Sequence, residues 1–278
     1  MSEQVNTPEK LWNSFLNFYQ LNREKINIVS GDKGGKIVIM NNKDYYTMGM
    51  DIIKRFNFEP LSDEKAVKMI DQIQNHQSEM TDLINSQFID PQYERKIDCS
   101  NNKYPRYMYL LPKIHKETHE WLIPDKVPKG RPIISCSSAF LSTIGKFIDR
   151  NLKPLVFKKN PHFIRSSYEL LKQLNDFILP NNVEFLVADR SELYLNIDVN
   201  LVTIKVFDLF CMSKRCEKAW LLEKLLKFDL THQLFTFNGH YYRQPNGIFM
   251  GSPFSPSLAY LYLLHFDISV RNQANVHF

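Results

Sequence analysis

Two stretches of this chain carry residue types that could do chemistry on a flat, phosphate-bearing partner. In the first, Lys103, Arg106, Lys113, Lys116, Lys126, Lys129 and Arg131 crowd one segment that holds few acids. Tyr104, Tyr107, Tyr109 and Trp121 are interleaved with them, a mixture suited to phosphate contacts and base stacking. The second runs from Phe235 to Pro256 and contains Gly247, Gly251, Ser252 and Pro253 between a hairpin pattern and a helix. A loop of small residues lets a planar partner approach the backbone closely, and a nucleobase pair is such a partner.

Other chemistries fit the residues poorly. Gly31 to Met40 is not a P-loop, because Ile37 stands where Ser or Thr must bind magnesium. His115 and His119 lie four apart but have no HExxH pattern and no third ligand nearby. The cysteines Cys99, Cys136, Cys211 and Cys216 are scattered without zinc spacing, and they read as reduced thiols of an intracellular protein. No Ser-His-Asp arrangement and no Gly-x-Ser-x-Gly elbow occurs.

The elements that must position these residues form an α+β pattern without repeats. Asn238-Gly239 is a favoured two-residue turn, so Leu234 to Phe237 and Tyr241 to Gln244 are expected as paired strands. Ser255-Pro256 reads as the cap and first turn of a helix. Thr7-Pro8-Glu9 opens a helix with Leu11, Trp12, Phe15, Phe18 and Tyr19 on one face. Ile37 to Met40 is expected as a short strand after the Gly34-Gly35 turn. Ser62-Asp63-Glu64 opens a long helix striped by Ala66, Met69, Ile70, Ile73, Met80 and Ile84.

Further helices are marked by Phe140 to Leu152, Leu170 to Ile178 and Trp220 to Lys227. Val183 to Ala188 has the length and apolarity of a buried strand. Polar sequence from about Asp90 to Asn102 is the expected linker. It divides residues 1–95, a helical extension carrying the Asp32-Lys33-Gly34-Gly35 segment, from residues 96–278.

With 278 residues, 44% hydrophobic and 13% aromatic, the chain has enough apolar content for a substantial core. No apolar run reaches the roughly 20 residues of a membrane span. The formal charge of +5 is too mild to signal nucleic acid by itself; the placement of the cations carries the argument.

Four segments, in this order, resemble the reverse transcriptases of Penelope-like retroelements. They are Asp32-Lys33-Gly34 with Val38-Ile39-Met40; Leu111-Pro112-Lys113-Ile114-His115-Lys116 with Arg131-Pro132-Ile133-Ile134-Ser135; Asp189 to Ile197; and Phe237-Asn238-Gly239, Gln244, Gly247 and Met250 to Leu263. The resemblance implies the fingers and part of the palm of a right-hand polymerase, preceded by the helical extension. It implies RNA-directed DNA synthesis on an RNA template and a DNA primer from dNTPs, within the nucleus for an active element.

By the same resemblance Arg131, assisted by Lys113 or Lys116, would hold the triphosphate. Tyr194 would lie under the sugar, and Gln244, Met250, Gly251 and Ser252 would hold the base pair. Asp189 would bind catalytic Mg²⁺, of which a complete enzyme clamps two, about 3.5–4 Å apart. The chain departs from the family at Arg190, Glu192, Leu195 and Asp198. The sequence to Phe278 also lacks the Tyr-x-Asp-Asp element that supplies further carboxylates. The resemblance therefore implies a fragment inactive alone, or an RNA- or hybrid-binding relic without catalysis.

Overall fold

A computed structural model of the protein describes residues 8–89, 95–159, 164, 166–175, 189–212 and 216–273. The fold is mixed α+β, 55% helix and 17% strand. Among the described residues its central sheet has five strands in the order β3-β7-β6-β4-β5. These are β3 (Glu59–Leu61), β4 (Arg106–Pro112), β5 (Gly130–Ser135), β6 (Leu234–Phe237) and β7 (His240–Arg243). A separate antiparallel pair is formed by β1 (Ile26–Ser30) and β2 (Ile37–Asn41).

The β6–β7 hairpin forms where the turn chemistry demands it. Asn238 (φ 49°) and Gly239 (φ 79°) both occupy the left-handed region, so Phe237 pairs with His240. The second strand is therefore His240–Arg243, one residue earlier than expected, because a two-residue turn places its first partner directly after Gly239. β4 runs parallel to β6, while β4 and β5 form an antiparallel hairpin.

Helix α1 spans Pro8–Asn22. Its expected apolar face exists but is uncovered, with Trp12 58% and Leu11 55% exposed. Helix α2 (Asn42–Arg55) lies on the sheet and, with β4, β5, β6 and β7, builds one core from Met48, Ile52, Leu110, Ile134, Phe235 and Phe249. The second core is helical. It unites α3 (Asp63–Leu83), α4 (Ser142–Lys159), α6 (Val199–Met212), α7 (Cys216–Thr231) and α8 (Ser255–Gln273). Helix α5 (Ser167–Asn175) leaves Leu170, Leu171 and Leu174 exposed.

Ser62 caps α3 as expected, its hydroxyl accepting from the Lys65 N–H at 3.4 Å. The stripe below it buries Ala66, Ile73, Met80 and Ile84. Ser255 does not cap in the expected way. It lies inside the first turn of α8, its N–H donates to the Ser252 carbonyl, and its hydroxyl is buried without a partner. Phe140 precedes α4 and does not form part of it.

Residues 95–102 contain no helix or strand. Asn85 holds that run to the end of α3, donating to the Ile97 carbonyl and accepting from its N–H. Residues 8–89 supply β3 to the sheet and α3 to the helical core, so they share both with the rest of the chain. The expected strand Val183 to Ala188 lies outside the described residues.

One feature of the helical core makes stability depend on pH. His76 of α3 stacks on Phe228 of α7 at 3.5 Å, and Phe228 stacks on His232 at 4.0 Å. Burial, then the ammonium of Lys224, push the His76 pKa down from 6.5 to about 4. The unfolded chain binds the proton first, so the associated stability is full above pH 6.5 and is lost as pH falls towards 4. His76 is half-buried and partly screened, so the loss is about 1–2 kcal/mol. Urea denaturation at pH 7 and pH 5 should show it, and His76→Phe should flatten that difference.

Candidate functional site

The loop between β7 and α8 is held at two adjacent residues by two different cores. Ile248 is fully buried in the helical core, and Phe249 enters the sheet core, edge-on to Phe235 and beneath the guanidinium of Arg106. Backbone bonds stitch the loop on both sides. The Ile248 N–H donates to the Tyr194 carbonyl at 2.8 Å, and the Ile134 N–H donates to the Met250 carbonyl at 2.7 Å. The loop thus joins the 3-10 turn Leu193–Asn196 to the outer edge of β5.

Both junctions need glycine. Gly247 has φ 69°, and a Cβ there would lie 2.4 Å from the Tyr194 carbonyl oxygen. Gly251 has φ 131°, and a Cβ there would lie 2.3 Å from the Ile134 carbonyl oxygen. Neither position has room for a side chain.

The loop residues expected to hold a base pair divide into two groups. Gly251 is exposed and Met250 half-buried, both at the open surface. Gln244 and Ser252 are buried. The Gln244 amide donates to the Asn246 carbonyl at 2.8 Å, and its backbone N–H donates to Gln233. Gln233 in turn donates to the Gly247 carbonyl. The Ser252 hydroxyl lies 3.7 Å from the Cys136 thiol. These two side chains shape the loop from beneath.

Strand alternation sorts the β4–β5 hairpin into two faces. Arg106, Met108 and Leu110 are buried, while Tyr107, Tyr109 and Leu111 stand on the open face opposite Ser135, Ile133 and Arg131. Arg131 is 44% exposed at its side chain, and its Nε lies 2.9 Å from Oδ1 of Asp32, whose side chain is 1% exposed. Lys113 follows β4 directly. Burial lowers its pKa, the neighbouring cations Arg131 and Arg55 lower it further, and Asp32 and Glu192 oppose them.

Across from these cations stands the 3-10 turn. Burial raises the pKa of the Tyr194 phenol, Tyr260 of α8 adds to that, and Arg131 opposes it. Arg131 therefore lies within electrostatic reach of Lys113 and Tyr194, and Lys113 within reach of Glu192. Gly251 sits beside Ile133 and Ile134 on β5, the strand that carries Arg131.

Asp189 is exposed and lies three positions before Glu192, a chain reach of about 11 Å. Its neighbour Arg190 lies over the rings of Phe266, at 4.0 Å, and Tyr262, at 5.9 Å, on α8. Lys116 is exposed on the turn after Lys113, where its carbonyl accepts from the Trp121 indole N–H.

The departures from the family pattern have local employment. Arg190 stacks on α8, Leu195 packs against the sheet core, and Asp198 caps α6 by accepting from the Leu201 N–H at 3.0 Å. Glu192 takes φ 54°, an uncommon conformation for a non-glycine residue, at the entry to the 3-10 turn.

A polar cleft of about 640 Å³ adjoins Gly251 and Pro253. The hairpin lines it with Tyr109, Ile133 and Ser135, and α4 contributes Thr143 and Lys146. Lys146 gave no signal in the sequence, because a lone Lys in an amphipathic helix reads as solvated surface. Asp32 was visible only as part of a turn pattern, with nothing to link it to Arg131.

No group of three or more His, Cys, Asp and Glu residues able to hold a metal occurs among the described residues. Asp189 is an exposed carboxylate, and a two-ion magnesium centre needs further carboxylates beside it. No helix among the described residues is long and apolar enough to cross a membrane. No family model and no curated protein matches the chain.

Proposed function

We propose that this chain forms the fingers and part of the palm of an RNA-directed DNA polymerase of the Penelope-like type. Its cleft takes a dNTP opposite a templating RNA strand, with a DNA primer end alongside. The observation that carries the reading is the clamped loop. Segments far apart in sequence, around Arg131, Tyr194 and Gly251, are joined by the backbone bonds from Ile134 to Met250 and from Ile248 to Tyr194.

Each residue type suits its role. A triphosphate needs cations in a fixed array, and Arg131 with Lys113 offers a planar fork and a point charge. The exposed backbone at Gly251 admits a flat base pair, and the half-buried Tyr194 ring offers a floor for the sugar. Lys116 is an outer cation of the same turn. The polar cleft past Gly251 suits a single strand, with Tyr109 for stacking and Lys146 for a phosphate. Magnesium belongs to the same proposal through Asp189, and two ions require carboxylates additional to it.

Passive binding of RNA or hybrid duplex in the same cleft is the second reading, which needs only the Lys146 cation and the Tyr109 ring. Both readings require nucleic acid beside Lys146. Lys146→Ala is expected to weaken binding of unrelated primed RNA templates alike and to reduce the salt slope of log K by about 1. An unchanged slope, or no binding by the parent protein at low salt, contradicts the proposal.

A further inference from the structure

The Asp32 carboxylate is an unusual expenditure of a buried charge. Its side chain is 1% exposed, and neither of its oxygens accepts a well-formed hydrogen bond. Its ion-pair partner is the Nε of Arg131 at 2.9 Å. A carboxylate that merely anchored its own turn would be expected to collect backbone N–H donors.

The turn needs no such anchor. Gly31 N–H donates to the Lys36 carbonyl at 2.8 Å, and Asp32 N–H donates to the Pro112 carbonyl at 3.0 Å. The Ile114 side chain stands 3.5 Å from where a Cβ on Gly31 would lie. Backbone and apolar contacts already seat the β1–β2 turn on the end of β4. What the carboxylate adds is a fixed orientation for the guanidinium.

The chemistry of the fork makes that orientation useful. Arg has five N–H donors, and engaging Nε on one carboxylate oxygen leaves the terminal nitrogens for a bidentate contact with a second oxyanion. Lys113 lies near this guanidinium: Arg131 and Arg55 both lower the Lys113 pKa, while Asp32 and Glu192 oppose them. Arg55 has a partner of its own in Asp51, at 3.8 Å.

We infer that Asp32 is a positioning residue: it holds Arg131 by Nε so that the outer edge of the guanidinium grips the phosphate oxygens of a nucleoside triphosphate. The inference rests on the reading that Arg131 and Lys113 bind a triphosphate. It also makes the β1–β2 turn a working part of the site.

Titration with inorganic tripolyphosphate, which carries the phosphates without base or sugar, tests it in the full chain. Asp32→Asn is expected to weaken binding about 10-fold while the protein stays folded, since Arg131 then loses its orientation. In an Arg131→Gln background the same Asp32→Asn change should alter affinity less than about 2-fold, because Asp32 acts through Arg131. Equal losses in both backgrounds, or unchanged or tighter binding by Asp32→Asn alone, overturn the inference while leaving the triphosphate reading intact. No binding by the parent protein overturns that reading, and the inference with it.

Should Asp32→Asn fail to fold, the Arg131 Nε–H resonance of the parent protein decides. Tripolyphosphate is expected to shift it less than the terminal guanidinium resonances. A larger shift at Nε would make Asp32 a competitor of the phosphate, and would refute positioning.

Discussion

Asp229→Ala is expected to lower the unfolding free energy by about 3–5 kcal/mol, because it leaves a buried guanidinium without its counter-charge. Arg106 on β4 and Asp229 on α7 form a pair with side chains 5% and 3% exposed, and Nη2 lies 2.5 Å from Oδ2. Burial pulls the Arg106 pKa down, but the Asp229 carboxylate overrides it, and the net shift is upward. The guanidinium also lies over the ring of Phe249, 5.1 Å away.

The pair therefore spans the sheet core, the helical core and the base of the loop between β7 and α8. A fall in the urea midpoint at unchanged m is the expected signature. A change below about 1 kcal/mol would mean that the guanidinium finds water or another partner. Replacing both residues by apolar ones of similar volume should cost less than the single change, since neither charge is then stranded.

Gly247→Ala is the second large effect. The left-handed backbone alone costs an L-residue about 1–2 kcal/mol. At this position the Cβ would also sit 2.4 Å from the Tyr194 carbonyl and 2.6 Å from the Leu195 backbone. The loop must leave its seat or the 3-10 turn must move, so the total is expected to reach about 3 kcal/mol or more.

Gly239→Ala supplies the contrast. Its φ is 79° and nothing lies within 4 Å of the added Cβ, so only the conformational cost of about 1–2 kcal/mol applies. Thermal melts of the two variants should separate clearly. Equal losses would show that steric contact with the Tyr194 turn plays no part.

The sequence discloses what local chemistry decides. The Asn238-Gly239 turn, the Ser62 cap and the α3 stripe all depend on neighbours within a few residues, and all three form. It also discloses the order of the cationic hairpin, the 3-10 segment and the glycine loop. What it withholds is who faces whom.

Nothing near Asp32 in sequence indicates that its carboxylate meets Arg131, and nothing near Arg106 indicates Asp229. Such pairs are set by tertiary packing, which residue spacing does not encode. Gln244 illustrates the same gap for a polar side chain: its type suits a ligand, yet it is buried and donates to the Asn246 carbonyl. For α1 the period-3.6 stripe is plain, but periodicity identifies an apolar face without naming what covers it. Ser255 shows that residue type alone does not make a cap, because its hydroxyl must also reach a free N–H.

The central claim is that Arg131, Tyr194 and the Gly247–Gly251 loop together accept a dNTP opposite a template. The most direct measurement is the affinity of the full chain for a primed RNA template, with each of the four dNTPs added in turn. The account predicts that the dNTP complementary to the first unpaired template base tightens the complex about 10-fold, whether or not it is incorporated. It also predicts that Arg131→Gln abolishes that gain. Equal effects of all four dNTPs, or none, would contradict it.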